Sequence, residues 1–82
     1  MSRLKISIRQ IKAARSLLDW SQERLAETSG VSIPTIRRLE AAGGDLGGRA
    51  DTVEKIVSTM EAAGVQFTNG NEPGVKLKAR SS

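Results

Sequence analysis

The chain has 82 residues, of which 38% are hydrophobic and only Trp20 and Phe67 are aromatic; one domain of this size buries only about 60% of its unfolded surface, so the core is thin. It has no cysteine and no histidine, which excludes a disulfide scaffold, a Cys/His zinc site, a thiol nucleophile and an imidazole base, and no apolar run suits a membrane span or a secretory leader, so a cytoplasmic protein is expected. Thirteen basic against nine acidic side chains give +4: residues 1–40 carry eight basic and four acidic groups, residues 41–75 two and five, and residues 76–82 three and none, a distribution whose basic N-terminal half fits a polyanionic partner.

Ser7-Ile8-Arg9-Gln10 has the form of a capping box, with Ser7 as N-cap and Gln10 reaching back. Ile11, Ala14, Leu17 and Leu18 follow at helical spacing, which predicts a first helix over residues 8–18. Asp19-Trp20 is a short link, and Ser21 caps a second helix with Glu23 near its N-terminus. Gly30 sits where a left-handed residue would end that helix, placing it over residues 22–29. Ser32 is the next cap and Pro34 belongs to a first turn, where its missing N–H costs nothing. The third helix is predicted over residues 33–41, with Ile36 and Leu39 inward.

Residues 41–48 are half glycine and read as a flexible loop. They are not a phosphate-binding loop, because no strand precedes them and no G-K-[ST] ending follows. Asp51-Thr52-Val53-Glu54 reads as a fourth cap. Val53, Ile56, Val57 and Met60 predict a helix over residues 52–63, stopped by Gly64. The period then changes to two in Val65-Gln66-Phe67-Thr68 and Val75-Lys76-Leu77-Lys78, joined by the turn-rich residues 69–74. A β-hairpin is expected there, followed by a frayed tail. The fold class is therefore mainly α, four helices with a C-terminal β-hairpin, organised as a helical domain over residues 1–64 and a hairpin with tail over residues 65–82.

Catalysis finds no support. The nine carboxylates are scattered, no acid/base couple stands out, and the serines read as caps. No metal or cofactor site is indicated. The organised feature is residues 21–41: two short helices joined through Gly30 and Val31 must turn sharply and pack together. Ala26 is small at their crossing, Gly30 allows positive φ, and Leu25, Ile36 and Leu39 fill the angle. That order is the helix-turn-helix pattern.

Trp20-Ser21-Gln22-Glu23-Arg24-Leu25-Ala26, then Gly30-Val31-Ser32, then Pro34-Thr35-Ile36-Arg37-Arg38-Leu39-Glu40 resembles the core motif of the Cro/C1-type (XRE-like) helix-turn-helix proteins. The resemblance covers residues 8–41 closely and the fourth helix more loosely. It implies a lambda-repressor-like domain, bacterial or phage-like, that docks helix 3 in the major groove of double-stranded DNA, usually as a dimer. Arg15 and Glu40 match that family's internal ion pair. Independently, Glu40 lies about 40° from Ile36 on the helical wheel and so borders the core.

On the same wheel Pro34 and Arg38 fall about 160° and 200° from Ile36, pointing away from the core, and Arg37 lies on a flank at about 100°. The resemblance places Ser32, Ile33, Pro34 and Arg38 at base-facing positions, and makes Gln22 a backbone clamp at the start of helix 2. Thr35 and Arg37 are assigned to the DNA backbone. Arg38 is the first candidate for a guanine contact, worth about 1–3 kcal/mol.

Two departures from the family stand out. Ile33-Pro34 is apolar where many members carry polar side chains, which favours thymine-methyl contact over hydrogen bonding. The C-terminal hairpin replaces a fifth helix. An isolated hairpin is barely stable in water, so it must pack on helix 4 or pair with another chain. Val65, Phe67, Val75 and Leu77 are expected to form a homodimer interface, with a monomer whose hairpin folds onto its own core as the alternative. The leading reading is a sequence-specific DNA-binding transcriptional regulator. The alternatives are a protein-interaction module, such as an antitoxin or an inhibitor of another regulator, and a DNA-architectural or recombination directionality factor.

Overall fold

Four helices come first and a two-stranded antiparallel sheet last: α1 (Ile8–Leu18), α2 (Gln22–Ser29), α3 (Ile33–Ala42), α4 (Ala50–Ala62), β1 (Val65–Thr68) and β2 (Gly74–Leu77). This is a computed structural model, and it describes residues 6–44, 49–68 and 73–78. The tail expected to fray, most of the loop between the strands and the second half of the glycine-rich stretch lie outside the described residues. Among the described residues no helix is long and apolar enough to cross a membrane.

The first three helices begin where their caps require. Ser7 accepts from the Gln10 N–H while the Gln10 side chain accepts from the Ser7 N–H, a complete capping box. Ser21 accepts from the Arg24 N–H and Ser32 from the Thr35 N–H. Helix α1 ends on Asp19 in the left-handed region, with φ 58° and ψ 41°, and α2 ends on Gly30 with φ 79°. A side chain at Gly30 would be strained by its backbone angle alone, although the space beside it is open.

Helix α4 departs from expectation. It starts at Ala50 with Arg49 as N-cap, and no side chain caps it. Asp51 lies in the first turn, where its carboxylate accepts from the Thr52 N–H and sits 3.3 Å from Arg49 Nε. Aspartate is favoured both as a cap and within the first turn of a helix, by hydrogen bonding in one place and by the helix dipole in the other. The residue alone therefore does not separate the two registers.

The core is aliphatic. Ile11 and Ala14 of α1, Leu25 of α2, Ile36 of α3, and Ile56, Val57 and Met60 of α4 are almost fully buried. The strands pair Val65 with Leu77 and Phe67 with Val75, so these four side chains share one face. β1 packs on α4 and β2 on α1. Most of the expected dimer face therefore lies inside the single chain. Val65 is 2% exposed and Phe67 9%, both inside the chain's own core, and Val75 is half-buried against it. Only Leu77, 44% exposed, is left uncovered. A thin helical core needs the hairpin's apolar side chains for itself.

The hairpin is also pinned at its loop end. Gln10 is 5% exposed, and its amide nitrogen donates to the Thr68 carbonyl at 2.7 Å and to the Gly74 carbonyl at 3.0 Å. These two residues are register partners. One buried side chain thus caps α1 and closes the last rung of the sheet.

Candidate nucleic-acid interface

Helices α2 and α3 pack against each other across Gly30, Val31 and Ser32. Leu25, Ala26, Val31 and Ile36 are buried at this junction. A polar connection adds to the apolar one. Glu40 in the last part of α3 is 5% exposed, and its two carboxylate oxygens accept from Arg15 Nη2 at 2.7 Å and Nε at 2.8 Å. Gln22 Nε2 at the start of α2 donates to the same carboxylate at 3.0 Å. Arg15 Nη1 also donates to the Trp20 carbonyl at 3.0 Å. One carboxylate therefore ties α1, α2 and α3 together.

Burial alone would push the Glu40 carboxyl up; hydrogen bonds from Arg15 and Gln22, with the charges of Arg15 and Lys12, outweigh it and hold the carboxyl below its ordinary value. The Arg15 guanidinium is raised, chiefly by its hydrogen bond to Glu40, against a smaller opposing cost of burial.

Residues 11–48 match the sequence model of the helix-turn-helix family. This segment is a Cro/C1-type helix-turn-helix. No curated protein shows a significant match to the chain.

The helix-turn-helix sets the side chains of α3 in two groups. Ile36 and Glu40 point into the domain, and Leu39 is half-buried beside them. Pro34 and Arg38 are exposed and, four residues apart, share one face. Among the described residues Arg38 has no ion pair and no hydrogen bond from its side chain. Ser32 is exposed at the start of α3; its hydroxyl donates to Thr35 Oγ1 at 2.9 Å, so cap and neighbour are locked together. Thr35 is half-buried.

Two expected contacts are altered by their surroundings. Ile33 is half-buried and packs against the core beside Ala26, which leaves only part of it uncovered. Gln22 is half-buried with its amide turned to Glu40. Arg37 stands on the flank, and its Nη2 lies 3.2 Å from Glu23 Oε2 on α2.

Sequence reasoning missed the wider reach of four side chains. Gln10 was legible as a capping residue, but its hold on the hairpin leaves no trace in local spacing. The Gln22–Glu40 bond and the Glu23–Arg37 pair cross from one helix to the next, and Glu23 by itself reads only as a favourable charge in a first turn. Arg24 lies over Trp20, its guanidinium carbon 5.9 Å from the ring centroid, a weak cation–π contact at the entrance to α2.

Proposed function

We propose that the chain is a cytoplasmic, sequence-specific double-stranded-DNA-binding transcriptional regulator that inserts α3 in the major groove. The observation that carries this reading is the division of α3: Ile36 and Glu40 anchor the helix in the domain, while Arg38 stands exposed and unpaired among the described residues beside Pro34 and Ser32. In this reading Arg38 donates in bidentate fashion to guanine. Ser32, Pro34 and the uncovered part of Ile33 meet neighbouring base edges and thymine methyls. Gln22, Thr35 and Arg37 contact the phosphate backbone, which fixes register without reading sequence. The structural role of the Arg15–Glu40 pair is to hold α3 against α1, while Gln22 joins the same carboxylate from α2.

The regulator acts as a homodimer on a palindrome with half-sites about 34 Å apart. Leu17 and Leu77, 43% and 44% exposed, are the two exposed large apolar side chains among the described residues. They line one groove with Leu18 and Trp20, and an exposed apolar patch of this kind supports a protein contact there.

Selection of genomic DNA fragments by the purified protein at ~0.15 M salt, a condition under which purely electrostatic binding is already weakened, tests the proposal. An enriched palindrome with two half-sites is the expected outcome. Absence of any enriched motif would overturn it in favour of a protein partner.

A further inference from the structure

Among the described residues, two ion pairs cross between α1, α2 and α3, and they are built differently. Arg15 and Glu40 meet through two contacts of 2.7 and 2.8 Å with the carboxylate buried. Arg37 and Glu23 meet through one contact of 3.2 Å, with side chains 59% and 60% exposed. A charge-assisted hydrogen bond of full strength is shorter, about 2.7–2.9 Å. The second pair is therefore loose, solvated and readily exchanged.

Its position matters more than its strength. Ser21 is the N-cap of α2, so Glu23 is the second residue of the helix. Backbone N–H groups and the positive end of the helix dipole attract an anion there. Glu23 thus places its carboxylate in the field that would draw a phosphate, and the same carboxylate holds the guanidinium of Arg37.

We propose that Glu23 is an affinity-setting counter-charge, which holds Arg37 in the free protein and competes with a DNA phosphate for it. The proposal rests on the DNA-binding reading above. On binding, Arg37 leaves the carboxylate for the phosphate, so part of the gain from the new contact offsets the loss of the old one. The opposite role, a carboxylate that stiffens Arg37 for base recognition, requires a short, shielded pair. The observed pair is neither.

The test is a double-mutant cycle on the duplex most enriched in the fragment selection, with Kd measured for wild type, E23Q, R37Q and E23Q/R37Q at one salt concentration. Thermal melting of each variant confirms that it is folded. Exposed pairs of this kind have small coupling energies, so E23Q is expected to tighten binding about two- to fivefold. R37Q should weaken it, and E23Q should then add nothing in the R37Q background. An equal gain from E23Q in both backgrounds would overturn the proposal, because Glu23 would then act only through its own charge on the phosphates. Weaker binding by E23Q would overturn it in favour of a stiffening role. Failure of the wild-type chain to bind any duplex would remove the DNA-binding reading and this inference with it.

Discussion

Gln10, in the first turn of α1, donates its side-chain amide to the carbonyl of Thr68, 58 residues further along the chain, at 2.7 Å. The same nitrogen reaches Gly74 across the hairpin. Removing the donor that bridges these two part-buried carbonyls costs about 1–2 kcal/mol. Gln10→Leu is expected to lose that amount in denaturant unfolding. Gln10→Glu keeps an acceptor for the Ser7 N–H but turns a carboxylate toward two carbonyls. It should leave α1 intact by circular dichroism while amide exchange accelerates across β1 and β2. Unchanged exchange in the hairpin would mean that Gln10 only caps α1.

The Arg15–Glu40 pair predicts both a mutational hierarchy and a pH dependence. Arg15→Met strands the Glu40 carboxylate and should cost about 2–3 kcal/mol, toward the low end for a broken buried pair because Arg15 stays partly exposed. The double variant Arg15→Met/Glu40→Leu should recover part of that loss. Denaturant midpoints decide, and a double variant less stable than Arg15→Met would remove the pair's electrostatic role.

The folded Glu40 carboxyl titrates below its ordinary value of 4.5. Folding therefore favours its ionised form, and the contribution is fully present above the unfolded value. It declines as pH falls below 4.5 and is lost once pH passes through the depressed folded value. Thermal melting against pH should show wild type losing more stability than Glu40→Gln over this acid range. Parallel curves would contradict it.

For DNA, the two kinds of contact separate by specificity. Arg38→Ala should relax the preference at one base pair of the operator by about 1–3 kcal/mol, with little change in melting temperature. Gln22→Ala should weaken binding to all sequences about equally. It also removes a donor from Glu40, so a small loss of thermal stability accompanies it. Binding measured on a panel of singly substituted operators distinguishes these outcomes; a sequence-dependent loss from Gln22→Ala would argue against a backbone clamp.

The dimer prediction falls on Leu77, because Val65 and Phe67 are occupied by the core. Leu77→Glu should convert the protein to a monomer in sedimentation equilibrium and leave its helical content unchanged. An unaltered dimer would place the contact elsewhere.

Much of this architecture is legible in the chain. Ser7, Ser21 and Ser32 each open a helix, and Gly30 ends one, because capping chemistry acts over three or four residues and leaves a local mark. α4 is the exception. Its N-cap, Arg49, makes no side-chain bond, and Asp51 marks the first turn rather than the cap. Alternation correctly put Val65, Phe67, Val75 and Leu77 on one face of a hairpin, but it does not say what covers that face. The same limit applies at the candidate interface. A helical wheel turns Arg38 outward and Glu40 inward. It does not show that Gln22 bonds to Glu40, or that Glu23 holds Arg37, since both contacts depend on how two helices meet.

Phe67 is the one aromatic side chain among the buried core residues described, and it lies in β1, outside the helix-turn-helix. Contacts run from β1 to α4 and from α4 to α2. Without that ring, α4 and, through it, α2 lose part of the core on which they rest. The shape of α2 and α3 therefore depends on a side chain that belongs to neither helix. A stop codon after Gly64 would remove none of the residues proposed to touch DNA, yet it would leave them on an unfinished scaffold.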